Sequence, residues 1–406
     1  PYTTLFRSTN SSERNKNMKR VVIGIIGSGF AAELHACAYQ KVCGVEVVLK
    51  AVSSLDPAAE EFARRYGISA VYEDYHEMLK DPEIDMVDII APPCLHADMV
   101  MDVVRSKKHV ICEKPLTGFF GKGEEELTGS ISKGEMYETV RRELDVLKRE
   151  VEQSGCLFMY AENYIYTPAL QKSLEFLDAQ RERILFMRAE ESHNGSHATH
   201  AAYWKMSGGG SLIRQGCHPL SAVLLLKERE GRRQGVDVRV TGVTADMGNV
   251  SNMLSPEEHS YIDAHPVDVE DLANMTITFS DGSKAVIMAG DMVVGGVKNL
   301  VEIYTNKSVY HCNMAATDGL YTYHSSGENL EDVYVTEKLG TKTGWQKVFL
   351  EEEIMRGYVG ELQDFVECAA YGRQPLSGFV LASRTIELVY AAYRSAWEGR
   401  RITLDL

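Results

Sequence analysis

The run Val21-Val22-Ile23-Gly24-Ile25-Ile26 passes without a break into Gly27-Ser28-Gly29-Phe30-Ala31-Ala32, and few folds satisfy that order of residues. A stretch dominated by branched apolar side chains has the composition of a parallel strand buried on both faces. Two glycines one residue apart then permit a tight turn and bring backbone N–H groups close to a pyrophosphate, and Ala32 takes the small position where helix and strand pack. A helical stretch over residues 31–42 follows. The opening thus predicts a strand, turn and helix built for a dinucleotide, with Gly27, Ser28, Gly29, Phe30 and Ala31 facing it.

The alternation continues. A strand over 45–52 ends at Ser53-Ser54-Leu55-Asp56, where an acidic residue would accept from the adenosine ribose and repel a 2′-phosphate. Ser54 stands in that place, so NAD and NADP both remain open; the absence of a following arginine favours NAD. A helix carrying Ala59, Phe62, Ala63 and Tyr66 leads to strands over 70–72 and 86–90, the second running into a loop from Pro92 to His96. The apolar run His109 to Cys112 ends in Glu113-Lys114-Pro115. This spacing predicts a doubly wound parallel sheet whose carboxyl-end crevice gathers Ser53, Ser54, Pro92, His96, Glu113 and Lys114 around the cofactor. Lysine loses its proton more readily when desolvated or beside another cation, so Lys114 next to an oxidised nicotinamide is placed to share one.

Further marks lie downstream: Asn163-Tyr164 with Pro168, Gly208-Gly209-Gly210 through Gly216 to His218, and Ala391-Ala392-Tyr393-Arg394-Ser395-Ala396 with Gly399-Arg400. Together with the glycine turn, the Pro92–His96 loop and Glu113-Lys114-Pro115, this ordered set resembles the glucose-fructose oxidoreductase / inositol dehydrogenase group, Gfo/Idh/MocA, over nearly everything from Met18 onward. The resemblance implies an N-terminal Rossmann domain, then an α+β domain with a mostly antiparallel open sheet whose outer face makes a homodimer or higher homo-oligomer. It implies hydride transfer at a secondary ring hydroxyl of a sugar, glycoside or inositol, with Lys114 on the reacting oxygen and His218 as general acid/base. Histidine suits that task because its ordinary pKa lies near neutrality, and an ammonium beside the oxygen stabilises developing alkoxide charge.

One departure stands out: where the family commonly carries an aspartate four residues before that histidine, this chain has Arg214. On a helix the two would share a face. Arg214 is read either as a ligand for a sugar hydroxyl or carboxylate that lowers the pKa of His218, or as the partner of Glu190 or Glu191. The stretch from Glu190 to His200 holds His193, His197 and His200, but its spacing is not that of a zinc helix, so it reads as a polar substrate loop and no metal is expected. Tyr164, His193 and Trp204 join Lys114, Arg214 and His218 as substrate-facing candidates; Trp204 and Tyr203 serve equally well as sugar platforms or as core.

The chain is divided into a non-native, disordered tail over 1–17, a nucleotide-binding domain over 18–162 with an insert over 117–135, and a substrate-binding and oligomerisation domain over 163–406. The tail begins like a translated library adapter, and Met18 is read as the native start. The glycine-rich insert reads as a loop, serving as a lid, a contact to a neighbouring subunit or surface ornament. A net charge of −15 argues against nucleic acid and anionic membranes, no apolar run approaches bilayer length, and eight cysteines without a CxxC pair suit reduced thiols in a cytoplasm. Two other functions stay in play: a redox-neutral glycosidase acting by oxidation and elimination, with His193, His197 or Tyr164 as its extra base, and a non-catalytic nucleotide sensor.

Overall fold

The computed structural model describes residues 18–121, 131–196, 198–315, 320–326, 341–348 and 351–406. The proposed tail, the centre of the insert and His197 lie outside them. The first sheet is wholly parallel, built from β1 (Arg20–Ile26), β2 (Glu46–Ser53), β3 (Ala70–Tyr72), β4 (Met86–Ile89), β5 (His109–Glu113) and β6 (Phe158–Ala161). Its order is β3-β2-β1-β4-β5-β6. The chain reverses its winding between β1 and β4, and a crevice opens at their carboxyl ends. Helices α1 (Phe30–Tyr39), α2 (Ala59–Tyr66), α3 (Tyr75–Leu79), α4 (Pro93–Arg105) and α5 (Lys133–Ser154) complete the winding.

Two expectations change here. Residues 93–96 form the first turn of α4 rather than a loop, because Pro93 has the fixed φ a helix start needs and no N–H to leave unpaired. The described start of the insert is anchored rather than superficial. Phe119 is buried, its N–H donates to the Tyr390 hydroxyl at 2.5 Å, and its carbonyl accepts from Trp204 Nε1 at 3.0 Å. A lid or intersubunit role would rest on 122–130, outside the described residues. Helix α5 resumes where expected, capped by the Ser132 side chain and ended by Gly155, with Met136, Val140, Leu144, Leu147 and Val151 buried.

The second half begins with α6 (Pro168–Gln180) and β7 (Ile184–Ser192), then α7 (Trp204–Ser207), α8 (Cys217–Gln234) and strands β8 (Val240–Gly248), β9 (Leu272–Phe279), β10 (Lys284–Gly290), β11 (Lys298–Thr305) and β12 (Val309–Asn313). A separate hairpin pairs β13 (Tyr321–His324) with β14 (Gly344–Lys347). The chain ends with α9 (Glu352–Met355), α10 (Tyr358–Tyr371), α11 (Phe379–Glu398) and β15 (Ile402–Thr403). The large sheet runs β12-β11-β7-β10-β9-β8-β15, antiparallel except where β7 meets β10. It is the open, mostly antiparallel sheet expected of an α+β unit.

Strand β7 is longer than its apolar run. Glu190, Glu191 and Ser192, expected in a loop, continue it because β10 and β11 both pair with them in register. Strand β8 starts at Val240, after α8 has run to Gln234 and ended on left-handed Gly235. The last helices fold back on the first half: α10 packs on α1 and β1, and α11 on α5. One apolar core therefore runs through both halves.

Candidate functional site

The glycine turn has the geometry a dinucleotide needs. Gly27 sits at φ +110°, and a Cβ there would lie 2.1 Å from the Ile90 carbonyl oxygen, so only glycine fits. Gly29 is the N-cap of α1, and a Cβ on it would project into open space. That open space faces the first turn of α1, whose N–H groups have no partner within the helix and favour an anion. Phe30 stands exposed there, and Ala31 follows it. These features fit a nucleotide pyrophosphate.

At the end of β2, the Ser53 carbonyl accepts from Gly27 N–H at 2.8 Å, and Ser28 Oγ donates to Ser54 Oγ at 2.8 Å. The place read as ribose-facing holds Ser54, not a carboxylate, and Asp56 accepts from Ala58 N–H through Oδ1. Pro92 is exposed at the start of α4. His96 is fully buried, with its ring nitrogens 2.8 and 2.7 Å from the carbonyls of Pro115 and Ala91, and burial pushes its pKa down. It clamps the two loops instead of presenting a ring to the cofactor. Glu113 also turns inward. It accepts from Lys114 N–H at 2.8 Å and lies 3.3 Å from His35 Nε2; burial pushes its pKa up, but His35 and Lys114 more than offset that, leaving a carboxylate.

Across the crevice, Lys114 and His218 line one cavity of about 270 Å³ together with His193 and Arg214. Lys114 Nζ donates to the Arg214 carbonyl at 2.9 Å. Burial pulls its pKa down, but the carboxylates of Glu113, Glu191 and Glu162 around it favour the charged form, so the net direction is upward and the side chain is an ammonium. Residues 212–216 wind as a π-turn that leads His218 into the first turn of α8. Gly210, just ahead of the turn, has to be glycine because a Cβ would lie 1.8 Å from the Glu270 carbonyl oxygen.

His218 is buried, and its Nδ1 lies 2.5 Å from Glu162 Oε1. Tyr164 stacks edge-on against the imidazole at 4.7 Å. A carboxylate at Nδ1 selects the tautomer protonated there and leaves Nε2 with its lone pair. The carboxylate on His218 thus comes from Glu162, on the chain between β6 and α6, and not from position 214. Arg214 pairs with neither Glu190 nor Glu191. Its guanidinium meets Asp291, which Gln215 also contacts, while Glu190 pairs with Lys298 at 2.8 Å and Glu191 accepts from Asn299 at 2.9 Å. The electrostatic effect of Arg214 falls on His200, whose pKa burial and this neighbour both push down.

Trp204 is core: 3% exposed, hydrogen-bonded to Phe119, packed on Tyr393 at 4.8 Å and covered by Lys133 Nζ at 3.3 Å from its centroid. Burial pulls Lys133 down to about 8. Glu162, Cys217 and His218 present three donor atoms within 4.8 Å of one another. Glu162 already holds the histidine, however, and burial pushes the Cys217 thiol well up, away from the thiolate a metal takes.

A family model described as "Oxidoreductase family, NAD-binding Rossmann fold" matches residues 21–136, and one described as the "GFO/IDH/MocA C-terminal domain" matches 183–311. Levoglucosan dehydrogenase of Pseudarthrobacter phenanthrenivorans is 30% identical over 40% of this chain and 38% of its own. Myo-inositol 2-dehydrogenase of Thermotoga maritima is 32% identical over 23% of this chain and 28% of its own. The matches thus span under two fifths of those relatives' length. The fold is similar to GenD2 from gentamicin A biosynthesis, solved with NAD (TM-score 0.76, 22% identity, 96% and 97% of the two chains). It is also similar to levoglucosan dehydrogenase solved with NADH and levoglucosan (TM-score 0.70, 21% identity, 95% and 99%). With matching models over both halves and the glycine turn, lysine and histidine in one crevice, the chain belongs to the Gfo/Idh/MocA oxidoreductase family and carries its NAD-binding Rossmann fold.

Proposed function

We propose that this protein is a dehydrogenase that moves hydride between NAD, or NADP, and a secondary ring hydroxyl of a sugar, glycoside or inositol. The observation that carries the reading is the single cavity lined by Lys114 and His218, with Glu162 on the far nitrogen of the imidazole. Oxidised nicotinamide, when bound, supplies the hydride acceptor. Gly27, Ser28, Gly29, Phe30 and Ala31 would hold its pyrophosphate, with Ser53 and Ser54 toward the ribose and Pro92 at the crevice rim. His218 Nε2 takes the hydroxyl proton as the carbinol is oxidised, and Glu162 stabilises the imidazolium that forms. The Lys114 ammonium stabilises the developing alkoxide in a site sheltered from water. The same residues return the proton in the reverse direction.

The test is near-ultraviolet absorbance of reduced nicotinamide with a panel of inositols, sugars and glycosides. Substrate-dependent growth that disappears in Lys114→Met supports the reading; consumption of a glycoside without net reduction would replace it with the redox-neutral route. A soluble homo-oligomer in a reducing compartment completes the proposal. Three observations support it: all eight cysteines are free thiols, Leu185 and Phe186 of β7 are exposed apolar residues, and among the described residues no helix is long and apolar enough to cross a membrane.

A further inference from the structure

The cavity lined by Lys114 and His218 has a neighbour. A second cavity, of about 380 Å³, lies beyond Arg214, and Ser196 and Arg214 line both. Pockets for small organic ligands run from about 300 to 1,000 Å³. The first cavity alone is therefore small, whereas the pair has room for a ligand of two rings.

The wall between them is built from buried polar groups. Asp291, 2% exposed, accepts from Arg214 Nη2 and from Gln215 Nε2. That leaves Arg214 Nε and Gln215 Oε1 buried without a hydrogen-bond partner among the described residues. The rest of the Arg214 side chain, 17% exposed, lines both cavities, and its guanidinium offers N–H donors that sugar hydroxyls at the junction can accept. The second cavity combines small apolar residues, Ala202 and Ala264 among them, with the carboxylates of Asp263 and Asp291, and Tyr203 stands at its lining, 41% exposed. Apolar surface beside carboxylates and an aromatic ring suits a neutral ring with apolar faces and a hydroxylated edge.

We infer that the second cavity is a site for a second sugar ring. The substrate is then a glycoside or disaccharide whose reacting ring lies against Lys114 and His218 and whose second ring lies beyond Arg214. This deepens, and rests on, the sugar-oxidising function proposed above. Arg214, which lines both cavities, meets hydroxyls near the linkage, which gives the departure at position 214 a use other than tuning His218.

Calorimetric titration of the protein in the presence of NAD, with glucose, cellobiose and maltose as probes, tests this without requiring turnover. At least one disaccharide should bind about tenfold more tightly than glucose, and Ala202→Phe, which fills the second cavity, should bring it down to the level of glucose. Tyr203→Ala, at a more exposed position, should narrow the same gap if the bulkier variant does not fold. Equal binding of glucose and both disaccharides, no binding of any probe, or equal weakening of glucose and disaccharide by the variants would overturn the inference. Disaccharide preference without nicotinamide reduction would uphold the two-ring site while removing the dehydrogenase reading.

Discussion

Glu162 and His218 stand 56 residues apart in sequence, yet one hydrogen bond between them sets which imidazole nitrogen faces the cavity. Glu162→Gln keeps an acceptor near Nδ1 but removes the charge that stabilises the imidazolium. It should lower kcat about 10–100-fold with KM little changed, as steady-state kinetics would show. His218→Asn should cost about 10²–10⁴ in kcat. Because Lys114 is held above the ordinary lysine range, it stays charged through neutral and mildly alkaline pH; Lys114→Arg should retain more activity than Lys114→Met, and a pH–rate profile should show no loss from lysine deprotonation near neutrality. Lys114 and His218 could be singled out in the sequence because each sits in a local motif, and the two line one cavity. The partners Glu162 and Asp291 were not, since pairing across 56 and 77 residues leaves no periodicity to read. Trp204 was ambiguous for a different reason: an indole looks the same in sequence whether it packs under a sugar or under Lys133.

Within the β1–α1 turn, the two glycines should answer differently to the same change. Gly27→Ala drives a methyl into the Ile90 carbonyl and should lower the melting temperature even without nucleotide. Gly29→Ala meets nothing in the protein, so it should leave that temperature alone while reducing the stabilisation NAD confers. Helix α10 carries a second testable element. Glu361 is fully buried, neither of its carboxylate oxygens has a hydrogen-bond partner among the described residues, and burial, reinforced by Glu113, Glu162 and Asp88, holds its pKa well above the usual range. A raised folded-state pKa means the folded protein binds this proton more tightly than the unfolded chain. The resulting stability is full below the ordinary carboxylate range and is lost as pH rises through the folded value. Glu361→Gln should therefore gain melting temperature relative to the unmodified protein as pH rises from about 5 to about 8. Strand and helix order in the first half was legible because propensity and burial agree there. The start of α4 and the end of β7 shifted because a proline at a helix start and two-sided pairing overrode the apolar pattern.

At the scale of the molecule, the site depends on two halves sharing one core. Segment 117–121 leaves the parallel sheet just beyond Lys114 and is fastened to Trp204 and Tyr390 of the second half, while α10 and α11 return to α1 and α5. That return could not be read from local pattern, since nothing in a helix's stripe names the surface it will cover. It places Lys114, carried by the first sheet, opposite His218, carried by α8. The most direct test of the account is the near-ultraviolet absorbance of nicotinamide for the protein, Lys114→Met and His218→Asn, mixed with NAD or NADP and the same panel of sugars, glycosides and inositols. Substrate-dependent reduction by the unmodified protein, lost by at least about a hundredfold in both variants, is the predicted result. Reduction that survives in both variants would show that the chemistry lies elsewhere and contradict the account.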